Sequence, residues 1–159
     1  MIKKTIRIIN RWIEYIIFVL GVSMTTIVAI QVFCRYVLNQ SLFWSEELAR
    51  FLLIWLSFLG ACCAYYRQAN PGVDFLYSKL SASLKKICSI LTHLASMVLF
   101  LIMIVYGIQF AYFVRLQISP ALQIPKWTIM AIIPFCGSVL MIYAVNFLLT
   151  EIKGDTDDC

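Results

Sequence analysis

Charge and histidine are both scarce in this sequence. Asp, Glu, Lys and Arg together make up 13% of the 159 residues, there is one histidine, and mean hydropathy is +0.89 with 62% of residues hydrophobic. A soluble globule could not cover itself with so little polar surface, because such domains are about 45–50% apolar and about 25% charged. The chain reads as an integral membrane protein. Its six cysteines, at positions 34, 62, 63, 88, 136 and 159, include no C-x-x-C pair and no metal-ligand spacing. They read as small buried hydrophobes rather than as redox or zinc residues. The +5 net charge comes from basic residues scattered at the ends of apolar runs, not from a basic tract, so it marks topology and implies no nucleic-acid partner.

Two further absences limit the chemistry. No carboxylate lies near the middle of an apolar run, and no internal repeat or pair of broken half-helices is visible; these are the usual pointers to an alternating-access site. The lone His93 falls short of the several axial ligands a haem-bearing anchor normally needs. No enzyme chemistry and no cofactor is expected. A membrane anchor for a respiratory or redox complex, with His93 on haem, is the alternative reading. The more ordinary outcome for His93 is a ring hydrogen-bonded to a neighbouring helix.

What is present is a set of long apolar runs. Residues 12–33, 46–66, 87–113 and 127–150 each suit a transmembrane helix, since about 20 apolar residues span a bilayer. The fold class expected is all-α, a single membrane domain over residues 1–159. Between the second and third runs, Val73, Leu76, Leu80 and Leu84 recur at three- and four-residue steps among Lys and Ser, predicting a short interfacial amphipathic helix over 73–85. Pro120 and Pro125 predict an extended loop before the fourth span, and Pro134 predicts a bend within it. The basic start is expected to stay on as a first membrane helix rather than to be a cleaved signal, because its apolar run is too long and has no A-x-A-like site. Nine Lys and Arg fall on the side of the N-terminus, the 67–86 connection and the tail, against Arg35, Arg115 and Lys126 opposite, or four with Arg50. Both termini are then expected in the cytoplasm.

The stretch Arg35–Phe75 is the most unusual. Trp44, Glu46, Glu47 and Arg50 crowd the entrance of an apolar run that begins at Leu48, and Arg67 closes its exit. Ser45 can cap the helix, with Glu46 and Glu47 favoured in its first turn by the helix dipole. Capping leaves Arg50 unexplained. It stands four residues after Glu46 and three after Glu47, so an ion pair within the helix is one explanation and a neighbouring subunit or wet cavity another. Ser57 with Ala61, Gly60 with Ala64, and Gly21 with Thr25 and Ala29 repeat small residues every fourth position, which lets helix backbones approach closely.

The run RYVLNQSLFWSEELARFLLIWLSFLGACCAYY resembles the signature of the DctQ family, the small membrane subunit of tripartite ATP-independent periplasmic (TRAP) transporters. Asn39, Trp44, Glu46, Glu47, Leu48, Ala49, Arg50, Trp55, Gly60 and Ala61 carry the likeness, and SPALQIPKWTIMAIIPFCG adds Pro120, Leu122, Ile124, Pro125, Trp127 and Pro134. The family often has His before a Val-Asp pair; here Asn70, Pro71 and Gly72 precede Val73 and Asp74. The resemblance implies a non-catalytic subunit in a bacterial inner membrane that braces the large multi-span permease subunit of a sodium-coupled transporter. The large subunit moves organic acids as an elevator, and a periplasmic substrate-binding protein delivers them. It points to Trp44, Glu46, Glu47, Arg50, Trp55, Gly60, Ala61, Pro125 and Trp127 as interface or structural candidates, with membrane lipids as the remaining partner.

Overall fold

A computed structural model describes residues 2–40, 42–68 and 82–153. Helix α1 runs over Ile2–Tyr36, ten residues earlier than its apolar core suggests. Nothing between these limits breaks a helix except Gly21, and the basic arm is amphipathic. Ile6, Asn10 and Ile13 are buried at four- and three-residue steps while Arg7, Ile8, Arg11 and Trp12 face outward. The arm therefore continues the helix and packs on the bundle. α1 ends where Asn39 takes φ 51°, a left-handed conformation Asn tolerates, and the Gln40 N–H reaches the Cys34 carbonyl at 3.1 Å.

Helix α2 spans Phe43–Tyr66 and starts after Leu42, which makes no side-chain cap. The expected Ser45 cap is thus replaced: Ser45 is buried inside the first turn and its hydroxyl donates to the Leu42 carbonyl at 2.6 Å. Helix α3 spans Ala82–Phe113 without interruption, so residues 82–85 of the expected interfacial helix belong to it. The rest of that expected helix, 73–81, lies outside the described residues, as does the tail from 154 onward. The fourth run is two helices, α4 over Lys126–Met130 and α5 over Ile132–Lys153. Pro134 has no N–H for the Met130 carbonyl, and the break falls at Ala131, one turn before it, as a proline bend requires. The Phe135 N–H still reaches the Ala131 carbonyl at 3.3 Å, so the axis bends and continues.

Among the described residues four helical stretches are long and apolar enough to cross a membrane: Thr5–Tyr36, Phe43–Tyr66, Cys88–Phe113 and Lys126–Thr150. The most extensive packing is α3 on α5, then α1 on α2, then α2 on α5. α2 and α5 form the middle of the bundle, with α1 on the far side of α2 and α3 on the far side of α5, both showing long exposed apolar faces. Tyr143, Ala144, Cys136 and Cys62 are almost fully buried where α2 meets α5. Cys62 and Cys136 thus behave as small core hydrophobes, the Cys62 thiol donating to the Cys136 carbonyl at 3.8 Å. Where α3 crosses α5, two buried glycines allow the contact. A Cβ on Gly107 would lie 3.0 Å from Pro134 Cδ and 3.2 Å from Pro134 N, and one on Gly137 would lie 3.0 Å from Ile104 Cγ1. Most hydroxyls in the spans bond their own helix: Thr25, Thr26, Ser57, Thr92, Ser138 and Thr150 each donate to the carbonyl four residues back. They are satisfied locally and present their apolar sides outward.

Candidate subunit interface

At the end of the bundle that carries the C-terminus of α1 and the start of α2, residues 117–126 form a closed loop rather than the extended one the prolines predict. Ile118 pairs with Pro125 in an antiparallel bridge, the Ser119 N–H reaches the Ile124 carbonyl at 3.0 Å, and the Lys126 N–H reaches the Gln117 carbonyl at 2.9 Å. Gln123 closes the turn at φ 56°. The Ala121 and Leu122 N–H groups, left without a partner within the loop, point at α2. There Glu47 Oε2 accepts both, at 2.9 and 3.2 Å. Hydrogen bonds to an ionised acceptor are about twice as strong as neutral ones, so this carboxylate holds the loop on the bundle.

That geometry separates the candidates the sequence placed together. Glu47 serves the loop instead of capping its own helix. Glu46 accepts from Gln31 Nε2 of α1 at 3.2 Å, tying α1 to α2. Arg50 is exposed and forms no ion pair with either carboxylate. Trp44, Trp55 and Trp127 all show substantial exposed surface, whereas Pro125 is committed to the loop as bridge partner and as the residue preceding α4. Phe43 and Leu116 are also strongly exposed nearby, and the Arg115 guanidinium lies 3.9 Å above the Tyr112 ring.

The opposite end holds the ion pair that the sequence reading did not assign. Arg67 Nη2 lies 2.8 Å from Glu14 Oε1, and the same oxygen accepts from Asn10 Nδ2 at 2.8 Å and from the Cys63 thiol at 3.5 Å. The signal was present: Glu14 is the one acid in the first apolar run and Arg67 closes the second. Pairing them needed the antiparallel register of α1 on α2, which Gln31 with Glu46 and Gly21 beside Leu56 also obey. His93 meets the neighbouring helix as expected, with Nδ1 3.3 Å from the Tyr65 hydroxyl and its ring stacked on Phe147 at 5.9 Å. Among the described residues, no group of three or more His, Cys, Asp or Glu is placed to hold a metal ion.

The small residues of α2 face outward. Among the described residues, no atom outside the adjoining backbone of α2 lies within 4 Å of where a Gly60 Cβ would be, and Ser57, Ala61 and Ala64 are exposed. This strip is bare backbone-close surface, unlike the Gly107 and Gly137 contacts that the chain fills itself.

A family model for the DctQ component of tripartite ATP-independent periplasmic transporters matches residues 24–154. The chain belongs to the DctQ family. It is a transporter-family membrane protein and not an enzyme. Among its relatives is the ectoine TRAP transporter small permease protein TeaB of Halomonas elongata, 26% identical over 147 residues, or 91% of this chain and 75% of that one. The sialic acid TRAP transporter small permease protein SiaQ of Vibrio cholerae is 32% identical over 79 residues, 50% and 46% of the two chains. The isethionate TRAP transporter permease protein DctMQ of Oleidesulfovibrio alaskensis is 27% identical over 115 residues, covering 69% of this chain and 18% of that one. The chain spans about half the length of the small-permease relatives it matches over 79 and 80 residues. The DctQ match includes the whole Glu47-held loop and Arg67, and begins after Glu14.

Proposed function

We propose that this DctQ protein is the static small subunit of a sodium-coupled, binding-protein-dependent TRAP transporter for an organic acid. It works as one membrane domain over residues 1–159. In this reading it braces the large elevator subunit and carries no substrate itself. The observation that bears most weight is the outward strip of Gly60 and Ala61 on α2: surface shaped for a close helix contact that no helix among the described residues makes. The DctMQ relative supports the pairing, because there a segment similar to this chain lies within a much longer permease protein. The relatives name sialic acid, ectoine and isethionate, so the substrate differs between systems.

Both termini lie in the cytoplasm, which puts the Glu47-held loop, Trp44, Trp127 and Pro125 at the periplasmic surface of a bacterial inner membrane, towards the binding protein. Arg50 and Trp55 lie on the exposed side of α2, where the large subunit can meet them. The test is reconstitution. Proteoliposomes with this chain alone should take up no organic acid under a sodium gradient, and uptake should require the large subunit. Gly60→Leu and Ala61→Leu should insert normally but lose co-purification with that subunit, since a bulky side chain holds the backbones apart. Uptake by this chain alone would end the reading, and full co-purification of both variants would remove the seam.

A further inference from the structure

A slot runs along the α1 and α2 pair with a form that neither helix packing nor the DctQ assignment explains. Its walls are Ile17, Phe18, Val22, Thr25 and Thr26 of α1 and Leu56 of α2, its floor is Gly21, and it is an open groove of about 440 Å³. The lining is apolar in effect, because the Thr25 and Thr26 hydroxyls are spent on the Gly21 and Val22 carbonyls at 2.9 and 2.8 Å. One turn along α1 from Ile17 and Phe18 stands Glu14, whose carboxylate holds Arg67 at 2.8 Å, so that end of the slot adjoins Arg67. At that end it becomes basic. Arg67 is 63% exposed although it also holds Glu14, and Arg11, on the same α1 stripe as Tyr15, Phe18 and Val22, is exposed and forms no ion pair among the described residues. Arg7 stands one turn further out on that stripe, also exposed.

Length decides what fits. From Ile17 to Thr26 the lined part of α1, rising about 1.5 Å per residue, covers about 14 Å. That is one leaflet, half of the roughly 30 Å hydrocarbon core, and too short for a transmembrane helix of a partner. We infer that the slot binds one acyl chain of an anionic phospholipid from the leaflet at the N-terminal end, with its phosphate between Arg11 and Arg67. Two guanidiniums against the single Glu14 carboxylate leave the mouth net positive, and an Arg can grip phosphate through two parallel hydrogen bonds. The preference for this lipid comes from the headgroup, since an apolar slot alone does not distinguish one lipid tail from another.

Native mass spectrometry of the full chain in detergent tests this by titration with phosphatidylglycerol and with phosphatidylcholine of the same acyl chains. A basic residue near a membrane surface is worth about 1 kcal/mol towards an anionic lipid, so Arg11→Gln should lower phosphatidylglycerol retention about fivefold and leave phosphatidylcholine unchanged. Gly21→Leu should lower retention of both lipids by filling the slot. A Cβ at Gly21 would meet only Leu56 Cδ1 at 3.8 Å, so the helix pair has room for it. Val28→Leu, on an exposed part of α1 beyond the slot, should behave as the parent. Equal retention of the two lipids by the parent, or undiminished binding by Arg11→Gln, overturns the proposal. So does a Gly21→Leu chain that keeps its lipid but releases the large subunit, because the slot would then take a protein helix. Arg11→Gln, at an exposed site, keeps the experiment decisive if Gly21→Leu disturbs folding.

Discussion

Replacing Gly107 by Ala isolates the contact on which α3 and α5 depend. In the helix itself the change should help, because Gly is about 0.5–1 kcal/mol worse than Ala in a helix interior. Against the neighbour it should hurt. The new Cβ would sit 3.0 Å from Pro134 Cδ, 3.1 Å from Ile133 Cγ2 and 3.2 Å from Pro134 N. Proline's ring and backbone cannot rotate away as a flexible side chain can, so the helices must part by several tenths of an ångström. Overpacking a filled site costs about 1–3 kcal/mol. The net expectation is a loss of about 1 kcal/mol for Gly107→Ala. Gly60→Ala supplies the reference, since nothing lies within 4 Å of its Cβ position and the helix gain should appear undiminished. The two variants should therefore differ by about 2 kcal/mol, with Gly107→Ala the weaker. Unfolding of the purified chain with increasing SDS, followed by tryptophan fluorescence, measures both midpoints. If Gly107→Ala is as stable as Gly60→Ala, the close crossing of α3 on α5 is wrong.

Three other outcomes are expected. Glu47→Leu should speed hydrogen exchange at the Ala121 and Leu122 amides while Glu47→Gln, which keeps one acceptor oxygen, has a smaller effect; protection unchanged in both would mean the loop holds itself. Arg67→Leu should lower the SDS midpoint of the isolated chain more than Arg50→Leu, because Arg67 carries the ion pair to Glu14 and Arg50 carries none to Glu46 or Glu47; the reverse order would place the stabilising pair at the other end. Reporters fused after Lys153 and within 66–79 should both report cytoplasm, and a periplasmic signal from either would invert the orientation.

Much of this protein can be read from composition and periodicity because a bilayer leaves the backbone few choices: apolar runs of span length must be helices, since every peptide group needs a partner in lipid. Four spans and the Pro134 bend follow from that constraint and from nearest neighbours in sequence, and the meeting of His93 with another helix follows from the cost of leaving its ring unpaired in lipid. The limits of the helices were less legible. α1 extends back to Ile2 because the arm's Ile6, Asn10 and Ile13 find partners on the bundle, which hydropathy of the arm alone does not reveal. The DctQ motif likewise draws attention to Glu46, Glu47 and Arg50 as a cluster, because three charges within one turn look like one site.

By itself the sequence determined that the chain is a four-span membrane protein with no mid-membrane ionisable group, since length, hydropathy and the placement of charge along the chain are properties of residues in order. Only the tertiary structure decided which charges meet. Glu14 and Arg67 are 53 residues apart and Glu47 is 74 from Ala121, and both contacts depend on helix register and on a loop folding back. It decided in the same way which small residues are already used, for Gly107 and Gly137 face each other's helices while Gly60 and Ala61 face outward. A glycine's spacing shows that a backbone can be approached closely; only the rotation of its helix about its own axis sets whether the chain itself or another molecule does so.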